Sequence, residues 1–355
     1  LGNAYIGLQD YDSALQWYLK APPILCKALG PSHIVVGRMY NNIGVVYTKI
    51  KRYTEAKKFY DLSLQIKRSV YGNGHPTVAD TLSNLGEALR HLDEYEKSME
   101  CYNEALSINT KLHGETHIGT GICHYSLGLL YFDMKEYEKS IGKITKSLSI
   151  LEMIVGRNHP MIAIGYDTLR VAYKHVGNVE NTRIVSMKAL EIRQHNLGET
   201  HPDVARLLVN MGNVYMSGYN DPDLATVYYL KALKIQESVY TDADDKYIAM
   251  TYNNLSTAYT AKGHNKEALS LYKKSLPMMK RGFGDDHENT ALTFGGMGMA
   301  YLNIGEEEKA VEALKTAISI LSKIDGREKD VIWYETRLNK IKSGREGEKE
   351  IRCVE

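Results

Sequence analysis

The stretch LGPSHIVVGRMYNNIGVVYTKIKRYTEAKKFYDLSLQIKRSV, Leu29 to Val70, decides the fold of this chain. Its first half spaces apolar and aromatic residues three or four positions apart, the period of an amphipathic α-helix: Val36, Tyr40, Ile43, Tyr47 and Ile50. A second helical pattern follows from Tyr53. Because only a short polar segment around Lys51 and Arg52 separates the two patterns, the two helices must lie antiparallel as a hairpin.

The same pattern returns along almost the whole chain. One position of the first helix, small in every repeat but the fifth, recurs every 42 residues, with one interval of 44: Gly2, Gly44, Gly86, Gly128, Arg170, Gly212, Ser256 and Gly298. The second helix has its own small position: Ala14, Ala56, Ser98, Ser140, Thr182, Ala225, Ala268 and Ala310. A tyrosine four residues after several of these small residues can fill the groove between the paired helices: Tyr18, Tyr60, Tyr102, Tyr229 and Tyr272. We therefore predict an all-α solenoid of eight hairpins over residues 1–322, the first one truncated at its N-terminus.

The composition excludes several other classes of protein. A formal net charge of +1 over 355 residues gives no overall field that would attract nucleic acid or an acidic membrane. Four cysteines without a CxxC pair are typical of reduced thiols, which indicates a cytoplasmic protein. There is no apolar run near eighteen residues, so we predict no insertion into a membrane.

The chain resembles the tetratricopeptide repeat family. The first-helix motif of that family is read at Asn210–Tyr215 and the second-helix motif at Tyr53–Leu64 and Tyr95–Leu106. The usual repeat has 34 residues; the longer unit here, with joints such as Leu197–Ala205, is similar to the repeats of kinesin light chains and nephrocystin-3. The resemblance implies a right-handed superhelix whose first helices line a concave groove that binds partner proteins.

The resemblance also indicates which residues face the groove. Two positions before each small residue of the first helix, where the family often has Asn, lie Asn42, Asn84, Ser126, Thr168, Asn210, Asn254 and Gly296. A carboxamide can both donate to and accept from the main chain of an extended peptide. The predicted groove residues are Asn41, Asn42, Asn84, Asn210, Asn213, Asn253, Asn254, Arg38, Arg90, Lys174 and Arg206. The alternative is that these Asn side chains only bond between neighbouring helices.

Six histidines occupy equivalent positions in the joints between repeats: His33, His75, His117, His159, His201 and His287. A metal ladder is disfavoured because equivalent sites in successive repeats lie roughly 10 Å apart, whereas zinc needs ligands about 2 Å from one ion. We interpret these histidines as structural, and we predict neither a metal nor a cofactor. Pro76, Pro160 and Pro202 follow three of them and suit the first turn of a helix.

Several segments depart from the repeat. Repeat five has Arg170 at the small position, and repeat six has a longer internal turn, Ser217–Asp223, followed by an acidic joint at residues 241–246. Each of these changes is either a local irregularity or a kink that shapes a binding surface. Residues 328–342 are predicted to form a capping helix, with an apolar face of Ile332, Leu338, Ile341 and either Trp333 or Tyr334. The charged tail, residues 343–355, is predicted to be disordered.

No motif of a hydrolase, kinase, phosphate-binding loop or calcium site is present in the sequence. We therefore predict a non-catalytic scaffold that binds a peptide or a partner helix. A cargo adaptor of a microtubule motor and a ciliary scaffold of the nephrocystin-3 kind are the alternatives that the resemblance implies. A regulatory array attached to an enzyme would need a catalytic domain outside these residues, and RNA binding is disfavoured because no basic stripe recurs. The half-helix at residues 1–8 predicts either further repeats upstream or end-to-end self-association.

Overall fold

The computed structural model describes residues 2–240 and 245–352. The chain divides into two compact units, Leu1–Asn178 and Val179–Glu355. The helices of unit 1 are α1 (Gly2–Gly7), α2 (Tyr11–Leu29), α3 (Ile34–Lys49), α4 (Tyr53–Tyr71), α5 (Pro76–His91), α6 (Tyr95–His113), α7 (Ile118–Asp133), α8 (Tyr137–Val155) and α9 (Pro160–His175).

The second unit continues the same alternation of first and second helices. Its elements are α10 (Val179–Leu197), α11 (Pro202–Asn213), a π-helical turn (Val214–Gly218), α12 (Pro222–Val239), α13 (Asp245–Ala261), α14 (Asn265–Phe283), α15 (Glu288–Asn303), α16 (Glu307–Leu321) and α17 (Glu328–Arg352). The described residues contain no β-strand. The predicted fold class, an all-α solenoid of helix pairs, is confirmed.

Four hairpins close where a glycine of the first helix meets a tyrosine ring of the second, and in two others the glycine meets an aliphatic side chain, Ile144 or Leu314. A Cβ atom added to Gly44 would lie 2.5 Å from Cε1 of Tyr60, and one added to Gly86 would lie 2.7 Å from Cε1 of Tyr102. Both rings are almost completely buried. The missing side chain therefore lets the two helices approach closely enough for the ring to fill their groove, as the sequence predicts.

The tyrosine of repeat seven packs differently. Ser256 occupies the glycine position of α13, and the hydroxyl of Tyr272 bonds with that of Thr257 at 3.1 Å. The ring end of Tyr272 lies instead against Gly296 of α15, in the next repeat. The glycine at position 296, where other repeats carry Asn, Ser or Thr, thus makes room for a ring from the preceding hairpin.

All six joint histidines cap the helix that follows them. Nδ1 of His75 accepts a hydrogen bond from the main-chain N–H of Thr77 at 3.2 Å, and Nδ1 of His201 accepts from that of Asp203 at 3.1 Å. The other four caps have the same geometry: His33, His117, His159 and His287. An accepting Nδ1 requires the neutral imidazole with its proton on Nε2. These histidines, which the sequence analysis interprets as structural, therefore have a specific structural role as caps of the following helices.

This role predicts the effect of removing one cap. His201→Ala should lower the free energy of unfolding by about 1 kcal/mol, because an N–H in the first turn of α11 loses its acceptor. His201→Asn supplies another good capping acceptor and should lose much less. Urea unfolding of the three proteins side by side measures the difference. Equal losses for Ala and Asn would show that the imidazole does not act as a cap.

The longer turn of repeat six is accommodated locally. The interval from Thr182 to Ala225 is 43 residues instead of 42, and the added residue is absorbed where α11 ends. The N–H of Tyr219 bonds to the carbonyl of Val214 at 3.3 Å, five residues back, which is the bonding of a π-turn. Asp221 then caps α12. The second irregularity of this repeat, the acidic joint, lies at residues 241–246, of which 241–244 are outside the described residues.

The described side chains of the last helix pack through one face. Tyr334, Leu338 and Ile341 of α17 are buried, but Ile332 is 61% exposed. The predicted apolar face is therefore wrong at Ile332, because Tyr334 of this helix lies against Gly295 of α15. Helix α17 runs to Arg352, beyond the boundary at residue 342 that the sequence suggested. The division into array, cap and tail stays a prediction.

Candidate functional site

Polar side chains connect the successive first helices of unit 1, and in unit 2 they connect α11 with α13. In unit 1 the face that carries these side chains runs over α3, α5, α7 and α9, and we call it the unit 1 surface. The hydroxyls of Tyr125 in α7 and Thr168 in α9 lie 3.1 Å apart, and Arg90 of α5 pairs with Asp133 of α7. In unit 2 the corresponding face, the unit 2 surface, runs over α11, α13 and α15.

A buried lysine organises the first part of the unit 1 surface. Lys67 of α4 is only 5% exposed, and its Nζ donates to Oγ1 of Thr81 at 2.6 Å. Oγ1 of Thr81 lies 3.3 Å from Oδ1 of Asn41, and Nδ2 of Asn84 donates to the same oxygen at 3.4 Å. Burial lowers the pKa of Lys67, and the carboxylate of Asp80 opposes that effect. Thr81 thus links the buried ammonium of Lys67 to the Asn41 carboxamide, whose oxygen points inward.

These bonds orient the predicted carboxamides and leave one polar atom of each side chain without a bond. Asn41 turns Oδ1 toward the protein, so its Nδ2 is left for a ligand, and Asn84 turns Nδ2 inward and leaves Oδ1. In the part of the chain that the structure describes, neither of these outer atoms has a hydrogen-bond partner. The two readings of the Asn residues are therefore compatible, because each side chain bonds between helices through one atom only. Sequence reasoning missed Lys67, although its equivalents Asn109 and Gln236 are also polar.

A similar pair forms on the unit 2 surface. Oδ1 of Asn213 accepts from the hydroxyl of Tyr229 at 2.8 Å and from Nδ2 of Asn254 at 3.3 Å. Oδ1 of Asn253 is buried and has no hydrogen-bond partner among the described residues. Asn210 and Asn42 of unit 1 are both half-buried, and neither forms a hydrogen bond with a described residue. The structure therefore brings Asn213, Asn253 and Asn254 together and leaves Asn210 beside them.

The predicted basic residues have different surroundings. Arg90 pairs with Asp133 across two helices, and Arg206 lies 3.5 Å from Asp203 on its own helix. Arg38 and Lys174 are exposed and form no ion pair with a described residue. Arg90 is therefore part of the contact between repeats, whereas Arg38 and Lys174 are available to a partner.

The thiols and histidines do not assemble a reactive centre. Burial raises the pKa of the Cys101 thiol to about 12 and also raises that of Cys123, which opposes formation of a thiolate. Over the described ranges 2–240 and 245–352, no three His, Cys, Asp or Glu residues come together as a metal site would require. The described helices also include none with the length and apolar character to cross a bilayer.

The hairpins, the capped joints and the exposed first-helix faces define a class of protein, the α-solenoid of helix pairs. A family profile described as tetratricopeptide repeat matches residues 1–69, 35–109, 77–153, 171–238 and 247–323. These matches cover well over half of the chain, so the chain belongs to the tetratricopeptide repeat family. No curated protein sequence matches the chain significantly.

Among the similar solved structures, the two with TM-scores above 0.5 show the same fold. The C-terminal part of a TPR repeat-containing protein from Cytophaga hutchinsonii is 15% identical, with a TM-score of 0.55, covering 78% of this chain and 93% of that chain. BtubC (BKLC) from P. vanneervenii is 20% identical, with a TM-score of 0.53, covering 64% and 91%. A putative kinesin light chain with TPR-like repeats from Podosopora anserina is 17% identical, with a TM-score of 0.49, covering 59% and 99%.

Proposed function

We propose that this protein is a non-catalytic scaffold that binds a peptide or a partner helix on the exposed faces of its first helices. The observation that carries the proposal is the orientation of the carboxamides. On each surface one Asn leaves its Nδ2 for a ligand and a neighbouring Asn leaves its Oδ1. Outward donors and acceptors held in place can bond the carbonyl and N–H groups of an extended chain, whatever its side chains are.

The fixed geometry of these side chains supports the proposal further. A free surface Asn would lose rotamer freedom on binding, which costs affinity. Asn41 and Asn213 are already held by bonds from Thr81 and Tyr229, so little of that loss remains. The surface is thus arranged in advance for a main-chain ligand.

The test uses peptides selected from a random display library against the full chain. Asn84→Ala combined with Asn210→Ala removes one carboxamide from each surface and should weaken the selected peptides by about tenfold or more. Asn73→Ala, in the exposed joint between α4 and α5 and outside the first helices, is the matched control and should bind as the unchanged protein does. Unaltered affinity in the double variant, with the melting temperature preserved, would rule out this role for the carboxamides.

Two more specific roles remain within the proposal. A cargo adaptor of a microtubule motor and a ciliary scaffold would both use the same surfaces, so the same variants test either one. We place the protein in the cytoplasm, because Cys26, Cys101 and Cys123 are free thiols of the kind that reducing compartments maintain.

A further inference from the structure

One row of equivalent positions changes its chemistry along unit 1. Six residues before the small residue of each first helix lie Arg38, Asp80, Ile122 and Ile164, on α3, α5, α7 and α9. All four are exposed, and the two isoleucines are 39% and 53% exposed. The order along the row is therefore one cation, one carboxylate and two aliphatic side chains.

A second row on the same face also has a carboxylate in repeat three and aliphatic side chains in repeats four and five. One residue after the small position lie Val45, Glu87, Leu129 and Val171, of which Glu87 is exposed and the others are half-buried. Repeat three thus presents two carboxylates, and repeats four and five present four aliphatic side chains. The hydroxyls of Tyr125 and Thr168, 3.1 Å apart, connect the first helices of repeats four and five, which carry these aliphatic side chains.

The two carboxylates are open to a partner. Neither Asp80 nor Glu87 forms an ion pair with any described residue. Asp80 is flanked by the ammonium of Lys67, which is buried beneath the surface and bonded to Thr81. Glu87 lies three residues before Arg90 on α5, and Arg90 itself pairs with Asp133. Neither carboxylate is paired at close range within unit 1, so both can form ion pairs with cations of a partner.

We propose that the unit 1 surface binds an extended segment that carries Lys or Arg and, further along, two apolar side chains. The segment's cation would pair with Asp80 and Glu87, and its apolar side chains would cover Ile122 and Ile164. This inference rests on the proposed function and adds the chemistry of the ligand to it. Successive first helices lie roughly 10 Å apart and an extended chain advances about 3.3 Å per residue, so the basic and apolar residues should be spaced by about three residues per repeat.

Selection from a random peptide display library tests the proposal. Against the full chain, the selected peptides should be enriched in Lys or Arg at about three to six residues from a pair of apolar side chains. Against Asp80→Lys combined with Glu87→Lys, the selection should shift to Asp and Glu while the apolar pair is retained. Against Ile122→Ser combined with Ile164→Ser, the basic residue should be retained and the apolar pair lost.

Two further variants keep the outcome clear. Asp80→Asn with Glu87→Gln removes the charges at constant shape and should weaken a selected basic peptide by about tenfold, less at high salt. Glu96→Lys combined with Glu138→Lys reverses two exposed charges on the second helices α6 and α8, outside both surfaces, and is the matched control that should leave the selected sequences unchanged. Selected peptides that lack the basic residue, or that ignore both charge variants, would overturn this inference and leave the proposed function standing. Failure to select any peptide would overturn both, and self-association abolished by the charge reversal would assign the surface to a second copy instead.

Discussion

Gly44→Ala is expected to lower the free energy of unfolding by about 2 kcal/mol, although Ala is the better helix former. The added Cβ would lie 2.5 Å, 2.7 Å and 2.9 Å from three ring atoms of Tyr60. That ring is 1% exposed and its hydroxyl is 3.0 Å from Oγ1 of Thr48, so it cannot move aside without losing packing and a hydrogen bond. Urea unfolding and amide hydrogen exchange in α3 and α4 measure the loss.

Gly142→Ala is the matched control and should have the opposite sign. Gly142 lies inside α8, is exposed, and has no atom within 4 Å of the position of an added Cβ. Replacement should therefore stabilise the protein by up to about 1 kcal/mol through helix propensity alone. If both substitutions changed stability in the same direction, the glycines of the first helices would not be explained by close approach of the paired helices.

His124→Leu is expected to stabilise the protein and to remove part of its sensitivity to acid. His124 of α7 is 4% exposed, and neither ring nitrogen has a hydrogen-bond partner among the described residues. Burial, assisted by Lys146 and Lys143, lowers the pKa of His124 to about 4. Leu82 and Leu208 occupy the equivalent position in repeats three and six, so an aliphatic side chain fits this site of the fold.

The direction of the pH effect follows from that lowered pKa. The unfolded chain takes up a proton on this imidazole near pH 6.5, whereas the folded chain does not until about pH 4. The free energy of unfolding should therefore fall by as much as about 3 kcal/mol from this group as the pH drops through that window, and His124→Leu should lack that part of the loss. The difference between the two proteins at each pH isolates this residue from the carboxylates. A constant difference from pH 7 to pH 4 would contradict the prediction.

The hairpins follow from the sequence because their determinants are local and recur. The small residues at Gly44 and Ala56, the ring of Tyr60 and the prolines of the joints each act within one hairpin or one turn, and the period of 42 places them without reference to the rest of the chain. The contact of Tyr272 with the next repeat does not follow from a single hairpin in this way. Its ring end lies against Gly296, and that contact depends on side chains from two repeats.

The candidate site likewise has features that the sequence predicts and features that only the structure shows. The sequence identifies Asn41 and Asn84 as surface residues, because their positions recur in the register of the repeat. It does not show that Thr81 and Lys67 hold the Asn41 carboxamide, since that bond network spans three helices. The chemistry of the unit 1 surface is visible in the sequence once equivalent positions are aligned, for Asp80 and Ile122 stand one repeat apart.

Isoleucine methyl NMR with a selected peptide tests most directly whether the first helices recognise the ligand. Ile122 and Ile164 lie on the unit 1 surface, whereas Ile24 and Ile154 are exposed on the second helices α2 and α8. On titration with the peptide, the δ1 methyl resonances of Ile122 and Ile164 should shift while those of Ile24 and Ile154 stay in place. Shifts at Ile24 and Ile154, with Ile122 and Ile164 unchanged, would contradict recognition by the first helices.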